Sequence, residues 1–291
     1  MLFVMRTTGT RSNGARYVGP PDGSSLASLR RYAEVGLVTI VWSLAGWLLE
    51  LDSSAYLVLG IPIVAFFQIF VRRQSLPSLW VKESPPFKLN ANGVIWAVAL
   101  AILPAANVLG AIFPTPTVSD VLWYLSGLPG AVAAAYALVR TRREHLRPLL
   151  LCLVINEVID GLGWFLLVKM GAWSITERSV AERLGVCALN TLLYVPLFFM
   201  TDEVAFRGAF DAHLGAGLTN RWWLRSSYVS ALWVLWHVPL YRPADSGDVV
   251  ALAIIWPFGV VLSYAWRKTG NLGIPVISHA LSDGLFLAFF G

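Results

Sequence analysis

The chain has 291 residues, 57% of them hydrophobic and 13% charged, with a formal net charge of +5, whereas soluble domains carry about 45–50% apolar and about 25% charged residues. That balance excludes an ordinary water-soluble enzyme, and the positive charge reads as contact with an anionic inner leaflet and not as a nucleic-acid footprint. Cys152 and Cys187 stand in apolar runs without paired spacing, so neither a disulfide framework nor a zinc-thiolate site is indicated.

Residues 1–31 are rich in Gly, Ser, Pro and Arg and read as a disordered basic cytoplasmic tail. Residues 32–291 read as one membrane domain. A helix crossing the hydrocarbon core needs roughly 20 mostly apolar residues, and nine runs approach that length. They cover 35–51, 56–71, 94–113, 121–139, 149–170, 185–213, 226–240, 249–266 and 272–290. The first two are short and joined by "DSSA", so a hairpin that crosses incompletely is the alternative. The expected fold is therefore all-α, a polytopic integral membrane helix bundle with eight or nine transmembrane helices. Cytoplasmic loops collect Lys and Arg. With the N-terminus inside, 17 of the 22 basic residues fall in inner segments and four in outer ones, with Arg207 inside a span. That partition predicts nine spans, a cytoplasmic N-terminus and an outer C-terminus. Lys169 and Trp173 read as interface anchors.

Ionisable residues inside a span are candidates for function, and they gather in the last third. In "FFMTDEVAFRG", Glu203 and Arg207 are four apart and stack on one helix face, while Asp202 projects about 100° around the helix. One carboxylate can be neutralised and oriented by the Arg, leaving the other to exchange a proton with water. "SALWVLWHVPLY" holds His237 four residues after Trp233, and "NLGIPVISHALSDG" holds His279 four residues before Asp283. Measured from inner ends near 213, 225 and 271, Glu203, His237, His279 and Asp283 lie about 15, 18, 12 and 18 Å deep at 1.5 Å per residue. They can meet in one layer. A purely structural polar seam is the competing explanation, as it is for Asn156, Glu157 and Asp160 in "LCLVINEVIDGLG", which either line an access path or touch the motif helix.

"DEVAFRG", "WVLWH" and "HALSD" resemble, in order and spacing, the three motifs of the CAAX protease and bacteriocin-processing family, also described as the CAAX protease self-immunity domain. The resemblance covers about residues 185–290. It implies an intramembrane endopeptidase that hydrolyses a peptide bond with carboxylate- and His-activated water in a cavity open to the cytoplasm. Catalytic roles fall on Asp202, Glu203, Arg207, His237, His279 and Asp283. The carboxylate pair and His237 would activate water, His279 and Asp283 would support the oxyanion or orient the site, and Arg207 would fix Glu203. Two positions depart from the family pattern: Asp202 stands where a glutamate is usual, and Asp283 where Asn is common. Glu203, His237 and His279 are also candidate zinc ligands, so glutamate-type and metallo-type hydrolysis both stay open, with zinc the one cofactor the set admits. The implied partners are a peptide or protein tail, lipidated or not, and membrane lipid, with no nucleic acid. The implied location is a bacterial plasma membrane. A non-catalytic scaffold or immunity protein of the same fold and a proton-coupled transporter are the competing functions.

Overall fold

The computed structural model describes residues 25–82, 87–110, 117–215, 217–218, 221–242 and 245–291. Among these it contains nine α-helices and no strand: α1 (Ser25–Leu48), α2 (Ser53–Phe66), α3 (Ala91–Val108), α4 (Val118–Leu138), α5 (Arg143–Lys169), α6 (Val180–Phe198), α7 (Trp222–Tyr241), α8 (Ser246–Thr269) and α9 (Gly273–Phe290). Two π-helical segments interrupt the pattern, Phe67–Val71 continuing α2 and Val204–Asp211 following α6. The expected tail lies outside the described residues over 1–24. Residues 25–31 are not tail but the start of α1, where Leu, Ala and Arg favour a helix and Arg30 bonds Glu34 one turn on at 2.7 Å.

The helices run alternately between two ends of the bundle. Glu34 bonds His213 at 2.8 Å, Arg72 bonds the Gly208 carbonyl at 2.9 Å and Asn271 bonds the Ala137 carbonyl at 2.8 Å, which gathers the start of α1 and the ends of α2, α4 and α8 at one end. Ser119 bonds Asp52 and Ser54 bonds Asp120 at the other. There too, Arg178 and Arg183 bond the last carbonyls of α9. These ends are called here the basic end and the capped end. At the latter, Asp52 caps α2, Asp245 caps α8, and the pairs Thr117–Asp120 and Ser179–Glu182 form capping boxes on α4 and α6. Each satisfies N–H groups that a helix start leaves open.

Seven helical stretches are long and apolar enough to cross a membrane. Two α-helices fall short of the expected eight or nine. The first turns of α1 carry Arg30, Arg31 and Glu34, and α7 is diluted by Arg225, three serines, His237 and four Trp. Both nonetheless run the length of the bundle. Apolar side chains such as Leu37, Ile40, Val154, Val158 and Leu162 point outward, an arrangement that suits lipid and not water. The interior is packed through small residues. α4 buries Gly127, Gly130 and Ala131 together with Ala133, Ala134, Ala135 and Ala137, so its neighbours approach closely. A side chain on Gly130 would collide with the Pro196 carbonyl of α6.

One expected span is broken. The run 185–213 is expected from sequence as a single helix, but α6 ends at Phe198, two residues after the position where Pro196 removes a backbone donor. A tight turn follows in which the amides of Met200 and Thr201 both bond the Leu197 carbonyl. A second short helix begins at Asp202, passes into the π segment and reaches the basic end at His213. The break has a consequence for the site. It re-aims Asp202 and Glu203 independently of α6.

Candidate active site

The residues singled out from sequence converge, and their surroundings assign them different positions. Glu203 is fully buried between Arg207 and His279. Its Oε1 meets His279 Nδ1 at 3.0 Å, and its Oε2 lies 3.4 Å from Arg207 Nε, an ion pair without hydrogen-bond alignment. The Arg207 guanidinium is held over the Trp233 ring, 4.3 Å from the centroid, and donates to the Gly259 carbonyl at 3.3 Å. This approach requires a glycine: a Cβ at 259 would stand 2.8 Å from Trp233, 2.9 Å from Ser230 and 3.1 Å from Arg207.

Asp202, one residue earlier, lines a cavity of about 300 Å³ together with His237, His279 and Asp283. It is 5% exposed, and its Oδ1 has no hydrogen-bond partner. His237 donates from Nδ1 to the Trp233 carbonyl at 2.8 Å, which leaves Nε2 for the cavity. His279 is gripped by aromatic rings: Phe198 stacks on it at 4.2 Å, while Trp233 and Phe258 meet it edge-on at 5.2 and 5.6 Å. Its Nε2 lies 3.9 Å from Asp283 Oδ1. Glu203 itself is not among the residues lining the cavity.

The Asn156, Glu157 and Asp160 group packs against α9 and not against the motif helix. Asn156 donates to Ser278 at 3.1 Å, and Ser282 donates to Glu157 at 3.0 Å and to Asp160 at 2.7 Å. Asp160 and Ser282 reach the cavity. Trp173, an expected interface anchor near a span end, packs on Phe286 and Phe290 of the last turns of α9 and lines the cavity. Sequence reasoning passed over a second buried ion pair. Asp211 bonds Arg267, which also bonds Ser226 and the carbonyls of Gly215 and Gly217. Arg267 is one of the 17 basic residues that the sequence places in inner segments, and it is buried. The continuation of the spacing 203, 207, 211 was the available sign that this face goes on being polar.

The zinc set does not assemble. Both Glu203 oxygens face protein cations, the residue lies outside the cavity wall, and among the described residues no three His, Cys, Asp or Glu side chains gather closely enough to hold a metal ion.

The cavity also has a direction. Asp202, Trp233, Phe258 and His279 lie deepest, and the remaining wall comes from the capped half of the bundle: Leu57, Trp123, Trp164, Tyr194, Tyr241 and Ile254. On the basic side, Phe206, Arg207, Phe210, Asp211 and Trp266 form a fully buried floor.

No curated protein and no solved structure matches the chain. Residues 185–285, which hold the broken span, the cavity-lining helices α7 to α9 and all six expected site residues, match the family described as Type II CAAX prenyl endopeptidase Rce1-like, the protease family that the three motifs resemble.

Proposed function

We propose that the protein is an intramembrane endopeptidase in which Asp202 is the general base. The observation that carries this reading is the division of labour between adjacent carboxylates: Glu203 is neutralised by Arg207 and His279 away from the cavity, while Asp202 lines the cavity and has an oxygen, Oδ1, without a hydrogen-bond partner. Water in the cavity gives a proton to Asp202, with His237 Nε2 accepting its second hydrogen bond, and the water oxygen attacks the peptide carbonyl carbon. His279, held through Nδ1 by Glu203, turns Nε2 to the cavity, where the protonated ring donates to the developing oxyanion. Asp283 beside that nitrogen orients the ring. Asp202 then returns the proton to the amide nitrogen as the C–N bond breaks, leaving a carboxylic acid and an amine. Arg207 acts through Glu203 and is a positioning residue.

The apolar wall of Trp123, Trp164, Tyr194 and Phe286 suits an extended or lipid-bearing peptide tail. The bundle sits in a membrane, inferred to be a bacterial plasma membrane, with its basic end cytoplasmic. Peptidomics of membranes carrying the intact protein, Asp202→Asn or Glu203→Ala tests the reading. Peptides present only with the intact chain support it; identical peptide sets in all three sink it.

A further inference from the structure

We propose that the cavity takes its substrate from the membrane face opposite the basic end, so that the protein acts on peptide segments presented at the non-cytoplasmic surface. That the occupant is cleaved rests on the peptidase reading above; the side on which the cavity opens does not. Three independent features point the same way. The first is the gradient of exposure along the wall. Asp202, Trp233 and His279 at the bottom are at most 5% exposed, whereas Tyr241 in the last turn of α7 is 40% exposed.

The second is the floor. A path from the basic end to Asp202 would have to cross the Asp211–Arg267 pair, Arg207 and the rings of Phe206, Phe210 and Trp266, all of them packed and buried. Opening there would separate buried charge pairs and leave each charge without its counter-ion in a low-dielectric interior.

The third is the charge partition. Among the described residues, fourteen Lys and Arg lie at the basic end and four, Lys169, Arg178, Arg183 and Arg242, at the capped end. Removing buried Arg267 from the first group leaves the imbalance large, and such an imbalance sets orientation with the basic end in the cytoplasm. Carboxylates at the capped end are accounted for by helix caps and carry no weight here, since acidic residues contribute little to orientation. A segment confined to the cytoplasm therefore has no route to Asp202. The class of occupant that does is an exported or surface-anchored peptide. The wall, which holds Asp160, Asp202 and Asp283 and no Lys or Arg, favours neutral or basic sequences over acidic ones.

The test uses the full chain with Cys152→Ser and Cys187→Ser, carrying one added cysteine: Tyr241→Cys at the rim, Ile254→Cys in the wall or Lys268→Cys at the basic end. Each is treated with a membrane-impermeant maleimide in intact cells and in inverted vesicles. Tyr241→Cys and Ile254→Cys should label in intact cells, and Lys268→Cys only in inverted vesicles. Labelling of Ile254→Cys only in inverted vesicles overturns the proposal, as does its failure to label in either while Tyr241→Cys reacts. If Ile254→Cys does not fold, Leu240→Cys, also in the wall, replaces it with the same criteria. Labelling needs no activity, so a chain that labels as expected yet cleaves nothing counts against the peptidase reading alone.

Discussion

Asp202 and Glu203 are consecutive, yet the turn at 199–201 sends the first into the cavity and the second into the packing between α7 and α9. Their substitutions should therefore separate. Asp202→Asn removes a proton acceptor but no charge partner, so cleavage should fall by about 10²-fold or more, while the thermal midpoint in detergent stays near that of the parent. Glu203→Ala leaves the Arg207 guanidinium buried without a counter-charge, which costs about 3–5 kcal/mol and should lower the midpoint markedly. The double change Glu203→Gln with Arg207→Met removes both charges and should recover most of that stability without activity. If Asp202→Asn cleaves normally, the base is elsewhere. If Glu203→Ala unfolds no earlier than the parent, Glu203 and Arg207 do not neutralise each other as the geometry indicates.

At the scale of elements, the break after α6 and the glycine in α8 do the positioning. Pro196 weakens the last turn of α6, and the Thr201 hydroxyl closes the turn on the Leu197 carbonyl at 3.1 Å. Phe198 is thereby left stacked on His279 while the following helix sets its own direction. α8 comes close enough to hold Arg207 only because position 259 lacks a side chain. Gly259→Val should overpack this contact and destabilise the protein by about 1–3 kcal/mol. Activity should fall further than stability alone explains, because Arg207 moves with Glu203 and His279; a stable Gly259→Val variant with parental activity would count against this coupling. The Asp211–Arg267 pair ties the far end of the motif helix to α8. Asp211→Ala should destabilise by about 3–5 kcal/mol, whereas Asp211→Leu with Arg267→Met should be far milder in the same thermal measurement.

For the molecule as a whole, the nine helices among the described residues run alternately between two ends and put the start of α1 and the end of α9 at opposite ends of the bundle. With the basic end in the cytoplasm, an epitope added after Gly291 should be reached by antibody on intact cells, and one added before Met1 only after permeabilisation. Both epitopes on one face would mean that a helix other than the seven clear spans fails to cross, α1 and α7 being the first suspects. The Rce1-like match covers the site-bearing part alone. The earlier helices hold that part in place: Trp42 of α1 and Tyr56 of α2 pack on Trp236, and the Tyr56 hydroxyl donates to the Trp236 carbonyl at 2.9 Å.

Hydrophobic run length determined the all-helical class and the approximate position of every helix, because satisfying backbone groups in lipid leaves few alternatives. Charges costly enough to bury were few, so the clustering of Asp202, Glu203, Arg207, His237, His279 and Asp283 was legible from their spacing. Three things were not. The break within 185–213 follows Pro196, yet Pro62, Pro104, Pro129 and Pro257 lie inside helices that continue past them, so a proline in the sequence did not by itself mark where a span breaks. The pairing of Asp211 with Arg267 joined residues 56 positions apart and turned an apparent inner-segment charge into a buried one. The composition of the cavity wall followed from which ends of α2, α4, α5, α7 and α8 surround it. Sequence periodicity places a residue along its own helix; only packing between helices decides which carboxylate meets the cavity and which helix ends wall it.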